Sequence, residues 1–144
     1  MNKLILAAIA GSVVQFLLGW LVYGLLLANF MDSQTTHYDG LIKDMDTGSF
    51  MILVYLAGLA MSFLLAFIFQ RWAKFESIVK GLTGGMILGF FIALSYDLNS
   101  FSMMNLISVN AMIVDVIAYT VIIGIVGAII AWILGFKSKD VPAK

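Results

Sequence analysis

The sequence predicts an all-α fold: an integral membrane four-helix bundle with both termini in the cytoplasm and glycine-mediated helix packing. Three observations carry that expectation. Hydrophobic residues fill 62% of the 144 positions and charged residues only 11%, with a mean hydropathy of +1.06. A water-soluble domain has about a quarter of its residues charged. The apolar residues fall into four long runs, and the basic residues gather at one set of their ends. A single domain over residues 1–144 is expected, because no stretch between the runs is long enough to fold separately.

The first run extends from about Leu4 to Phe30. Lys3 with Ala8-Ile9-Ala10 superficially resembles a signal peptide and its cleavage site, but the apolar run continues past Ala10, so an uncleaved first span is expected. The second run covers Phe50 to Gln70, the third Ile78 to Tyr96 and the fourth about Asn105 to Phe136. A helix needs about 20 residues to cross the hydrocarbon, and the four runs meet or nearly meet that length. Leu, Ile and Ala without internal turn clusters favour helices over barrel strands. The one proline, Pro142, lies in the tail, so no span should carry a proline kink. Residues 31–49 form the one substantial polar loop, where a short helix around Leu41 to Met45 competes with Gly40 and Gly48.

Orientation follows from charge. Lys3, then Arg71, Lys74 and Lys80, then Lys137, Lys139 and Lys144 all fall at one end of the predicted spans. Only Lys43 falls at the other, among Asp32, Asp39, Asp44 and Asp46. The positive-inside rule places both termini and the Arg71–Lys80 loop in the cytoplasm, and residues 31–49 outside. Trp72 and Trp132 then mark the cytoplasmic interface, with Trp20 and Tyr23 at the outer one.

In lipid, helices associate where small residues let their backbones approach. On the third span Gly81, Gly85, Gly89 and Ala93 recur every fourth residue, and the same step arrives at Asp97. Span one carries Ala8, Gly11, Ser12, Gln15 and Gly19 on one face, and Gln15 needs an amide partner at mid-membrane. On span four a small-residue face contains Gly124, Gly127, Ala128 and Ala131, while Asp115 and Tyr119 lie nearly opposite it. Two placements of Asp115 are open. Either span four meets protein or water on both sides, or Asp115 lies about 20 residues back from Gly135, at the outer boundary of the hydrocarbon.

An intramembrane acid suggests function. Asp115 and Tyr119, with Asp97, Tyr96, Asn110 and Gln15, form the candidate polar site, able to bind a cation or relay a proton. The alternative is a carboxyl group that merely bonds a neighbouring helix. Asp44-x-Asp46-x-Gly48 begins like a calcium loop, but Tyr55 stands where a bidentate glutamate is required. His37 alone among loop acids does not make a zinc site, so neither metal nor cofactor is expected. With no cysteine, thiolate chemistry is excluded. No phosphate-binding loop appears, and no serine has a histidine base within the spans. No catalytic residue is assigned, and only a carboxylate-only lipid enzyme stays open. Zero net formal charge gives no footing for nucleic acid.

Gly19-Trp20-Leu21-Val22-Tyr23-Gly24 is similar to the Gly-Trp-x-x-Tyr pattern of the small bacterial membrane proteins of domain of unknown function 1761. Asp115-Val116-Ile117-Ala118-Tyr119 followed by Gly127-Ala128-Ile129-Ile130-Ala131-Trp132 resembles the last span of that family. The family's frequent small residue and proline after the tyrosine are replaced here by Gly24 and Leu25. The resemblance implies a four-helix protein of the bacterial inner membrane and supplies no activity. The leading expectation is a non-enzymatic protein that works through helix contacts, self-assembling or acting as an accessory subunit. Its partners would be the lipid bilayer and either a second copy or another membrane protein. The runner-up is a small transporter or channel using Asp115 and Tyr119; a lipid-binding protein comes third.

Overall fold

A computed structural model describes residues 2–39 and 48–136. The suggested helix at Leu41–Met45, the Asp44/Asp46 motif and the basic residues Lys43, Lys137, Lys139 and Lys144 lie outside the described residues. The described chain is helical apart from short connections, with one antiparallel bridge between Thr35 and Ile107. Helix α1 (Asn2–Gly19) continues into a π-helical segment, Trp20–Leu26. After Leu27 a short helix α2 (Ala28–Gln34) follows, then α3 (Gly48–Ile68), which ends in a second π-helical segment, Phe69–Ala73. Helices α4 (Ile78–Met103) and α5 (Val109–Gly135) complete the chain.

Four of these helices are long and apolar enough to cross a membrane: Lys3–Leu26, Gly48–Ala73, Ile78–Met103 and Val109–Gly135. Large apolar side chains such as Leu26, Leu53, Phe91 and Ile117 cover their outer surfaces. So large an apolar exterior suits lipid as the solvent and would associate in water. These features mark the chain as a membrane protein.

The helix limits have local causes. Ser77 and Ser108 cap α4 and α5, their hydroxyls accepting from the backbone N–H groups of Lys80 (3.4 Å) and Ala111 (3.1 Å). Lys74 closes the α3 end in a left-handed conformation (φ 49°), with the Phe75 N–H bonded to the Phe69 carbonyl. The first apolar run divides at Leu27, where the chain turns from the π-helical segment into α2. Helix α4 runs beyond Tyr96 to Met103, and in this last stretch the Ser102 hydroxyl donates to the Asn99 carbonyl. Helix α5 begins at Val109 rather than Asn105, after its serine cap.

Helix α5 is the centre. Half of its most apolar window is buried, against 22–28% in the other three long helices. It packs on α1, α3 and α4, while α1 and α3 form their own pair. The core joins Ala7, Ala8, Leu65, Ala66 and Phe69 to Ile122, Ile123, Val126, Ile130 and Ala131. On α4 the buried residues are Gly81, Gly85, Gly89, Ala93 and Asp97, one face at four-residue spacing. That face lies directly on α5. A Cβ added to Gly81 would strike the Gly127 carbonyl oxygen and Ala131, and one added to Gly127 would strike the Gly81 carbonyl oxygen. Each glycine therefore lets the other's carbonyl sit over its Cα, a distance at which Cα–H···O contacts form.

Candidate functional site

The α4–α5 register that the glycines set carries the helices forward to Asp97 and Asp115. By helix count all three contributors arrive at one level. Tyr23 lies about 20 residues from the start of α1, Asp97 about 20 from the start of α4, and Asp115 about 20 from the end of α5, each a rise of roughly 30 Å. Tyr23 falls in the Trp20–Leu26 π-helical segment, whose wider winding shifts where side chains beyond Gly19 point.

Tyr23, Ala93, Asp97, Asp115 and Tyr119 line a pocket of about 400 Å³ together with Ile92 and Tyr96. Tyr23 of the first span and Asp97 of α4 thus share one pocket with Asp115 of α5. Asp97 is only 4% exposed, and its Oδ2 has no hydrogen-bond partner. Asp115 and Tyr119 are half-buried, and Tyr96 stands exposed at the rim. A second, shallower groove of about 500 Å³ shares Ile92 and Tyr96 with the pocket and continues over Ser95, Asn99 and Ser100.

No cation among the described residues answers the two acids. Lys3, Arg71, Lys74 and Lys80 all lie toward the opposite end of the helices. His37 stays on the loop after α2, 3.4 Å from Asp32, both exposed. Among the described residues no group of three or more His, Cys, Asp or Glu side chains is placed to hold a metal. Two adjacent carboxylates repel unless a proton or another cation comes between them. The arrangement can therefore hold a positive charge.

Of the residues singled out in the sequence, Asp115, Tyr119, Asp97 and Tyr96 share this pocket. Gln15 does not reach it. Its Oε1 accepts from the Ser62 hydroxyl (3.3 Å) over Gly58, while the Ser12 hydroxyl, which donates to the Ile9 carbonyl (2.8 Å), accepts from the Tyr55 hydroxyl (3.2 Å). These bonds form a polar seam between α1 and α3. Asn110 is exposed in the first turn of α5 and is not part of the lining. Tyr23 joins the site although the sequence suggested only a membrane-interface aromatic there. An α-helical count places Tyr23 on the face of Gln15, which packs on α3, so the sequence pattern holds no signal for its place beside the two acids; the π-helical winding after Gly19 changes that face.

The helix-packing residues also have definite places. Gly81, Gly85 and Gly89 face α5, Gly85 against the Ile123 carbonyl and Gly124 Cα, and Gly89 against the Ile123 side chain. Ala128 is buried on α5 beside Gly127. Comparison with protein-family models, curated proteins and solved structures finds no match.

Proposed function

We propose that this is an integral membrane protein, with both termini cytoplasmic, that moves or exchanges a cation at the Asp97–Asp115 pair near its outer face. The observation that carries the reading is Asp97, buried at 4% exposure with one carboxylate oxygen that has no hydrogen-bond partner, lining a pocket together with a second acid. An intramembrane acid without a counter-charge is costly to keep and marks an ion or proton path. The level of the site supports access from one side, because it lies about 20 residues from the basic ends of the spans, at the limit of the hydrocarbon. Tyr23, Tyr96 and Tyr119 provide hydroxyls and ring faces around the charge. The Gly19–Gly24 and Asp115–Trp132 motif likeness supports placing the chain among small bacterial inner-membrane proteins.

Self-association, the leading expectation from the sequence, rests on small-residue faces. Those of α4 and α5 meet each other within one chain, and Gly11 of α1 meets Ile130 and Ser62. Both faces are thus occupied inside the bundle, and an oligomer or an accessory role would have to use the bulky outer surfaces instead. Lipid binding has no observation of its own beyond that apolar exterior.

The test is flux. Purified protein in liposomes with a pH-sensitive dye inside is exposed to sodium, potassium and choline gradients. Cation-dependent proton movement is expected in the wild type, reduced at least about tenfold in Asp115→Asn and in Asp97→Asn, as expected for losing a charged partner in a buried site. Absence of flux under every gradient would overturn the reading.

A further inference from the structure

We infer that the cation this pocket takes is a small organic monocation with an ammonium centre, held by Asp97 and Asp115 within walls of tyrosine. The inference rests on the cation-handling reading above and adds the chemical class. Three observations on the site point the same way.

The first is size. A pocket of about 400 Å³ lies in the range of small-molecule sites, roughly 300–1,000 Å³. It is far larger than a water molecule's share of about 30 Å³, and so larger than a bare ion needs. The second is donor chemistry. Calcium takes about six to eight close oxygen ligands and magnesium demands a near-ideal octahedron. This pocket offers two carboxyl groups and phenol hydroxyls, and the remaining lining is Ile92 and Ala93. Such a surface leaves most of a metal ion's coordination sphere unfilled, but it suits an ion whose charge is spread over carbon substituents. The third is the lining itself. Tyr23, Tyr96 and Tyr119 border the acids, and aromatic faces attract quaternary and substituted ammonium groups. Asp97 supplies a buried carboxyl group with one oxygen that has no hydrogen-bond partner, and a groove that includes Ser95, Asn99 and Ser100 continues from the rim at Tyr96.

Calorimetric titration of the full chain in nanodiscs tests this with four probes: choline, tetramethylammonium, sodium, and 3,3-dimethylbutan-1-ol, the uncharged shape-mimic of choline. Choline and tetramethylammonium should bind saturably, and the uncharged mimic should not. Asp97→Asn and Asp115→Asn should each weaken choline at least about tenfold. Tyr119→Phe, which keeps the ring, should stay close to wild type, while Tyr119→Leu should lose about tenfold. The probe comparison uses only wild-type protein, so it stands even if a variant fails to fold. Equal binding of choline and its uncharged mimic overturns the inference by reducing the site to an apolar hole. Binding of sodium without either ammonium probe also overturns it, while leaving the cation-handling reading in place. If no cation binds, both fall together.

Discussion

A single methyl group distinguishes the positions along the α4–α5 seam, and the neighbour it would meet decides the cost. At Gly85 an added Cβ would strike the Ile123 carbonyl oxygen, with Gly124 Cα at 3.1 Å, so only separation of two helices can relieve it. At Gly124 the clash is with Met86 Cγ, the flexible part of a side chain, and the backbone is no nearer than 3.5 Å. At Gly19 nothing lies within 4 Å. Gly85→Ala should therefore destabilise by about 1–3 kcal/mol, the usual effect of overpacking. Gly124→Ala should cost clearly less, and Gly19→Ala should be neutral or stabilising by up to about 1 kcal/mol from helix propensity. Equilibrium unfolding in mixed micelles measures all three; equal losses at Gly85 and Gly124 would contradict the backbone argument. The spacing of the stripe was readable from the sequence, as was the Asp115/Tyr119 pair, because both follow from about 100° per residue. That Asp97 faces Asp115 was not readable, since only the register between two helices brings them together. Tyr23 was obscured by its type, an aromatic at a span end being expected at the lipid interface.

At the level of elements, α5 is held from several directions, and its N-terminus is where the loops converge on it. The Ser108 hydroxyl accepts from the Ala111 N–H and donates to Gln34 Oε1 at 2.6 Å, while its own N–H bonds to the Gln34 carbonyl at 3.0 Å. Thr36 adds an N–H bond to the Leu106 carbonyl at 2.7 Å. One serine thus caps the helix and ties α2 to the α4–α5 connection, at the end of the bundle where the acidic pocket lies. Ser108→Ala should cost about 1 kcal/mol for the cap and leave Gln34 without its hydroxyl donor. The backbone bonds from Thr36 and position 108 remain available, so the fold should survive with faster amide exchange over residues 34–36 and 106–111. Unchanged exchange in both segments would show that the tie does not stabilise them. Four long helices were predictable because length and hydropathy fix them. Their ends were less so: α2 and the break at Leu27 depend on π-helical winding that carries no composition signal, and α4 continues to Met103 through Asn and Ser residues that by propensity favour caps and turns.

For the molecule as a whole, the arrangement of charge makes one topological claim that can be tested directly. The described basic residues Lys3, Arg71, Lys74 and Lys80 lie at the end of the bundle where Lys3 bonds the Phe136 carbonyl, which brings the start of α1 beside the end of α5. The acidic pocket, α2 and the Thr35–Ile107 bridge lie at the other end. If the basic end is cytoplasmic, the pocket opens toward the outside, and a cation would reach Asp97 and Asp115 without crossing the hydrocarbon first. The chain contains no cysteine, so a single introduced thiol reports its own location. Glu76→Cys and Asp39→Cys replace exposed residues at opposite ends. In right-side-out membrane vesicles a membrane-impermeant maleimide should label Asp39→Cys at once and Glu76→Cys only after the membrane is opened. The reverse pattern would turn the pocket toward the cytoplasm. The charge-bearing site would survive that inversion, since its geometry is internal to the bundle, but the cation would then be bound from inside. Labelling of both thiols in sealed vesicles would instead contradict a membrane-crossing arrangement of α3, the helix that separates them.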